Sequence, residues 1–222
     1  MRRPPLYTLR WSSAALAAAL TGLVAAGSAT GVDQWAVDRL MPGTASTASS
    51  PSLLDSLFPI FDPGKEHGHV ALAAATYAVV WIASVAPSIL LVGFALLVLW
   101  RRRAPRTALL LGASFVIANA IEVIGKAVIT RPALYAHSGG AAIHVTPFDD
   151  SFPSGHELRA VFLAACLAVC VRKLWPVAAA WLAAVTVMLV VGGWHTPTDV
   201  LGGLLIAVVF VAEPLVPRRY AQ

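Results

Sequence analysis

The stretch Phe152-Pro-Ser-Gly-His-Glu-Leu-Arg-Ala160, FPSGHELRA, stands at the head of an apolar run that continues to Val171. Ser154 followed three residues later by Glu157 reads as a capping box, Ser at the N-cap and Glu at N3, so a helix starts here. The residues behind that start are apolar enough for a bilayer, while Ser154, Gly155, His156, Glu157 and Arg159 crowd its first turns. The stretch therefore reads as a transmembrane helix whose polar end lies at a membrane surface. Capping alone accounts for Ser154 and Glu157 but leaves His156 and Arg159 unexplained.

The rest of the chain supports this reading. Only 12% of the 222 residues are charged, 58% are hydrophobic, and the mean hydropathy is +0.75. Soluble domains carry about 25% charged residues. The composition predicts an all-α, polytopic membrane protein forming a single membrane-embedded domain over residues 1–222. The net charge of +5 comes from basic residues between apolar runs, which speaks for membrane orientation and against nucleic acid as a partner. Cys166 and Cys170 lie within one apolar run and read as small packing residues, with no disulfide framework and no metal site.

Six crossings with both termini inside are expected. Trp11 to Thr30 is the first, although Ala26-Gly27-Ser28-Ala29 also suits the cleavage site of a signal peptide. Gly31 to His69, with the low-complexity centre TASTASSPS, reads as a solvated loop with room for a short interfacial helix and carries no motif. Val70 to Trp100 is interrupted by Pro87 and is read as one crossing, Ala83 to Trp100, preceded by an interfacial or buried helical segment. Thr107 to Gly125 crosses outward, and Ala133 to Phe152 is an outside loop. Glu157 to Val171 crosses inward, Leu174 to Gly193 outward and Val200 to Val216 inward. Eleven of the 16 Lys and Arg fall on the inner side of this scheme, as the positive-inside rule requires. All six histidines fall at the outer side. Trp11, Trp100, Trp175 and Trp194 fall near span ends. The scheme predicts a multi-pass protein of the plasma (inner) membrane with its site facing outside or the periplasm. Thirteen arginines to three lysines and abundant alanine fit a bacterial, high-GC coding sequence.

Three polar clusters interrupt the apolar pattern on that one side: Glu122 to Pro132, the FPSGHELR stretch, and Gly192-Gly-Trp-His-Thr-Pro-Thr-Asp-Val-Leu-Gly-Gly203. Thr196, Pro197 and Asp199 read as N-cap, N1 and N3 of the last helix. Glu122 and Lys126 form an i,i+4 pair. Left over are two histidines at two helix starts, beside Lys126, Arg131 and Arg159. Helix N-termini present unpaired N–H groups to anions, and added cations make a pocket for a phosphate-like group. A histidine beside a carboxylate can be held in one tautomer as nucleophile or base. A second histidine can protonate a leaving oxygen. Asp149 and Asp150 read as solvated loop.

At these residues the chain resembles the type 2 phosphatidic acid phosphatase superfamily of integral membrane lipid phosphatases. The family pattern is K-x6-R-P, then P-S-G-H, then S-R-x5-H-x3-D. Pro153-Ser154-Gly155-His156 matches the second element, and His195 to Asp199 matches H-x3-D. The likeness runs from Lys126 to Gly203 in motif order, within core motifs spanning 122–203, and elsewhere rests on helix count. It implies that His195 is the nucleophile that forms a phosphohistidine, that Asp199 orients it, and that His156 is the general acid. It implies that Lys126, Ser154 and Gly155 hold the phosphate. It implies metal-independent chemistry without a cofactor, with a lipid phosphate as substrate and membrane lipids as surroundings.

The chain departs from the pattern twice. Four residues, not six, separate Lys126 from Arg131-Pro132, and Ala133 and Leu134 occupy the family's R-P positions. Met188 and Leu189 occupy its S-R positions. Arg131 is a phosphate ligand only if the local turn differs. Arg159 shares a helix face with His156 and is expected either to supply the guanidinium missing at Leu189 or to snorkel at the surface. The function expected is hydrolysis of an isoprenoid or glycerolipid phosphate or diphosphate at the outer leaflet. The rivals are a phosphotransferase on the same scaffold, a lipid-phosphate-binding protein without turnover, and a transporter.

Overall fold

The computed structural model describes residues 5–41, 70–138 and 141–215. The low-complexity centre of the 31–69 connection and the basic pair Arg218-Arg219 lie outside the described residues. Eight α-helices carry the described fold. Helix α1 (Pro5–Ala25) ends in a turn at residues 26–29, and α2 (Thr30–Leu40) leaves it at 81°. The small residues Ala26 to Ala29 thus serve as the corner between two helices. The 31–69 connection thus opens on a short helix, for which the sequence left room. Residues 30–40 are helical because Asp33, Ala36, Val37 and Leu40 recur at helical spacing, and Ala36 and Val37 bury against Leu134, Val145 and Phe148.

Helix α3 (Val70–Val80) passes through a 3-10 turn (Trp81–Ala83) into α4 (Val85–Arg101), with a 44° bend between them. Pro87 is the third residue of α4, where its missing N–H breaks no intrahelical bond. The break comes one turn before Pro87, where Ser84 turns to extended backbone (φ −66°, ψ 162°). Helix α5 (Pro105–Val128) starts on a proline at its first position, as helices commonly do. The 133–152 loop contains a departure from the all-α expectation: strands β1 (Tyr135–Ser138) and β2 (Ala141–His144) pair antiparallel, Tyr135 opposite His144. Short alternating runs such as these give too weak a local signal to be called from sequence.

Helix α6 (Gly155–Cys170) is the centre of the bundle, packed by α4, α5, α7 (Trp175–Val191) and α8 (Pro197–Leu215). Leu158 through Leu163 are buried on consecutive positions, the mark of a helix enclosed on all sides. Phe162 meets Phe115 of α5 edge-on, with ring centroids 5.4 Å apart. Cys166 is buried in this core and both cysteines are free thiols. Outward faces are also apolar: Leu90, Phe94, Val116, Val123 and Val187 are exposed. A monomer in water does not tolerate so much exposed apolar surface, whereas a lipid-facing belt requires it. Trp11, Trp100 and Trp175 are exposed near helix ends, as interfacial tryptophans are.

By length and composition two helices, Pro105–Val128 and Arg172–Val191, can each cross a membrane, or four segments if each bent pair is one span. Helix α6, with 16 residues, is shorter, and Pro197–Ala212 of α8 is a shorter apolar stretch among the described residues. Their first turns hold His156, Glu157, Arg159 and Asp199.

Candidate active site

The first turns of α6 and α8 lie side by side. Ser154 caps α6: its Oγ accepts the Glu157 N–H at 3.3 Å. The reciprocal half of the expected capping box is absent. The Ser154 N–H is taken by the Asp199 carbonyl at 2.9 Å, so the Glu157 carboxylate turns to α7 and accepts from Thr186 Oγ1 at 2.8 Å. Gly203 lets α8 sit directly on this cap, since a Cβ there would collide with the Ser154 carbonyl oxygen. Any larger residue forces the two helix starts apart.

The capping of α8 forms as the sequence implies. Asp199 Oδ2 accepts the Thr196 N–H at 2.9 Å, and Thr196 Oγ1 accepts the Asp199 N–H at 3.4 Å. Ser151 Oγ adds a bond to the same Asp199 oxygen at 2.6 Å. His195, immediately before the cap, puts Nδ1 3.6 Å from Asp199 Oδ2. That separation exceeds a hydrogen bond, and the buried Nδ1 has no hydrogen-bond partner. The His195 and His156 rings lie 5.9 Å apart between centroids. Trp194, expected at the membrane interface, instead meets the His156 ring edge-on at 5.4 Å. Burial holds the His195 imidazole below its ordinary pKa, with Asp199 acting in the opposite direction. Burial thus favours the neutral imidazole, the form a nucleophile needs.

Cations reach the site from α5 and α6. Glu122 carries both: its Oε1 is 2.6 Å from Lys126 Nζ, and its Oε2 is 3.4 Å from Arg159 Nη1. Arg159 is not at the surface. It is buried, donating from Nε to the Ala83 carbonyl at 2.8 Å and from Nη1 to Asn119 Oδ1 at 3.2 Å. An arginine at a helix centre costs about 2.5–3.5 kcal/mol on insertion scales, and these partners on α5 and the 3-10 turn offset that cost. Leu189 is fully buried with Val80, Ala83, Ala160, Val185 and Val200, an apolar packing that leaves no need for a guanidinium. Gly155 lies where a Cβ would strike the Glu122 carboxylate, with Arg159 Nη1 2.8 Å from the same point. Lys126, Arg159, Glu122 and the start of α6 thus converge.

Arg131 is placed elsewhere. Its side chain is 4% exposed. Nη1 donates to Thr196 Oγ1 at 3.0 Å, and Nη2 donates to Asp33 Oδ2 at 2.9 Å and Thr198 Oγ1 at 2.8 Å. Asp199 Oδ1 lies 3.2 Å from Nη2. Asp33 also accepts from the Thr198 backbone N–H at 3.2 Å and from its hydroxyl at 2.6 Å. Asp33 went unnoticed in the sequence. The available signal was a carboxylate on the apolar stripe of α2, in line with Ala36, Val37 and Leu40, where a charge needs a buried partner.

Two histidines at adjoining helix starts, one backed by a carboxylate and both next to paired cations, define a class of membrane phosphate-ester site. Residues 107–216 match the family model of the PAP2 superfamily. The fold is similar to the crystal structure of the first transmembrane PAP2 type phosphatidylglycerolphosphate phosphatase from Bacillus subtilis. The TM-score is 0.59 at 16% identity, covering 92% of this chain and 94% of that one. No curated protein matches the chain. The chain belongs to the type 2 phosphatidic acid phosphatase superfamily. Its apolar helices and fold are those of an integral membrane protein.

Proposed function

We propose that the protein hydrolyses a lipid phosphate or diphosphate, isoprenoid or glycerolipid, through a phosphohistidine at His195, without a metal. The observation that carries this reading is the pairing of His156 and His195 at 5.9 Å, with Asp199 behind His195 and two cations beside them. His195 attacks phosphorus, forming a P–N bond as the bond to the lipid oxygen breaks, and His156 gives that oxygen its proton. Water then attacks phosphorus, the P–N bond breaks, and the water proton passes to His156. Lys126 and Arg159, with the Ser154 hydroxyl and the Gly155 N–H, hold the non-bridging oxygens. Glu122 pairs with both cations, and an arriving phosphate takes them over. Arg131, with its donors already engaged, serves Asp199 in place of binding phosphate.

Six crossings, with the site at the outer face of the plasma membrane, complete the proposal. It is supported by the positive-inside count and by the place of α6 and α8 starts at one end of the bundle. Purified protein is expected to release inorganic phosphate from a panel of lipid mono- and diphosphates, with release persisting in a chelator. Absence of release across the panel contradicts the enzymatic reading and favours a binding protein. Single cysteines at Ala133 and at Arg103, in a protein lacking Cys166 and Cys170, test the sidedness. An impermeant thiol reagent added outside labels position 133 and spares 103, and the reverse pattern contradicts the orientation.

A further inference from the structure

The N-terminal arm contributes a carboxylate that no motif of the site includes. Asp33 is 2% exposed and faces three donors from distant parts of the chain: Arg131 Nη2 at 2.9 Å, the Thr198 hydroxyl at 2.6 Å and the Thr198 N–H at 3.2 Å. The same Arg131 nitrogen lies 3.2 Å from Asp199 Oδ1, and Asp199 Oδ2 is the oxygen facing His195. One guanidinium is therefore shared by two carboxylates, one of them in the site and one on α2. With both carboxylates ionised, two carboxylates and one cation carry a net negative charge shared between Asp33 and Asp199.

We propose that Asp33 is a positioning residue for the reaction: by sharing Arg131 with Asp199, it fixes the Asp199 carboxylate and leaves it enough negative charge to orient and support His195. The inference rests on the His195 phosphohistidine reading. Without Asp33, Arg131 pairs with Asp199 alone, and the carboxylate is drawn away from the histidine. Asp33 makes none of its bonds to Lys126, Arg159 or the start of α6, so it acts on turnover and not on phosphate binding.

The sign of the pH effect follows from the groups around His195. These are Asp199 on α8, Lys126 and Glu122 on α5 and His156 on α6, with Arg159 next to His156 and with Arg131 and Asp33 behind Asp199. The carboxylates favour the protonated imidazole, and the cations and burial favour the neutral one. Activity needs neutral His195, so it falls as pH drops through the imidazole pKa. Removing the Asp33 charge makes the surroundings more positive and leaves Arg131 to neutralise Asp199. Both changes move the acid limb to lower pH.

The test uses the purified full chain, a lipid monophosphate and the Asp33→Asn variant, assayed for phosphate release across pH with a thermal unfolding midpoint. The expected result is a kcat lower by about tenfold, the lower end of what orienting partners of a working histidine supply, with KM within about twofold of wild type and the acid limb at lower pH. A folded variant with wild-type kcat and an unmoved limb overturns the proposal. So does a lower kcat with an unmoved limb, which is what simple loosening of α2 gives. If Asp33→Asn does not fold, Asp33→Ser and Asp33→Glu carry the same readout. The serine variant lacks the charge, loses turnover and shifts the limb, the glutamate variant keeps the charge and restores the limb, and serine behaving as wild type overturns the proposal. His195→Ala run alongside separates the two layers: activity retained there sinks the phosphohistidine reading, while loss there with Asp33→Asn unaffected sinks only the role of Asp33.

Discussion

Substituting His195 by alanine is expected to lower phosphate release by about 10⁴-fold, the scale seen when a nucleophile is removed from a site whose binding groups remain. The protein should stay folded. Nδ1 of His195 has no hydrogen-bond partner, so its loss leaves no buried group newly unpaired, and the backbone N–H of His195 keeps its bond to the Leu189 carbonyl at 3.0 Å. Phosphate affinity should change little, because Lys126, Arg159 and the start of α6 are untouched. Rate loss with retained affinity separates a nucleophile from a phosphate ligand. Equilibrium binding of inorganic phosphate, measured beside turnover, checks both halves. Turnover near the wild-type rate in His195→Ala would falsify the assignment.

Substituting His156 by alanine has the second largest expected effect, about 10²–10⁴-fold on an alkyl phosphate, the range of general acid catalysis. The leaving group decides the size. A lipid alkoxide is a poor leaving group without a proton, whereas p-nitrophenolate departs unaided. His156→Ala should therefore be much less impaired on p-nitrophenyl phosphate than on a lipid phosphate. Equal loss on both substrates contradicts the acid role and makes His156 a phosphate ligand or a support for Trp194, whose ring it meets at 5.4 Å.

The two helix starts were legible because their information is local. Ser154 and Thr196 announce caps, and each histidine stands within two residues of its cap. The shape of the site was not local. Arg159 read equally well as a snorkelling residue or a phosphate ligand, since its partners Ala83, Asn119 and Glu122 come from segments with no sequence relation to it. Arg131 read as a phosphate ligand because R-P follows Lys126, yet its bonds run to α2 and α8. The capping box at Ser154 was half right. Its donor was claimed by Asp199, and Glu157 was left to find Thr186, which no spacing rule connects to it. Asp33 was the largest omission: its bonds to Thr198 cross 165 residues, and only its place on an apolar stripe hinted at them. The β-hairpin was missed because its strands are four residues each.

The central claim is that phosphate passes through His195 before reaching water. Hydrolysis of a lipid thiophosphate made chiral at phosphorus with two oxygen isotopes, run in water carrying the third, yields chiral inorganic thiophosphate and reads this directly. Each in-line displacement inverts the phosphorus centre. Transfer to His195 followed by transfer to water inverts it twice, so the account predicts overall retention of configuration. Overall inversion means that water attacks the lipid phosphate in a single step, and it would contradict a phosphohistidine at His195.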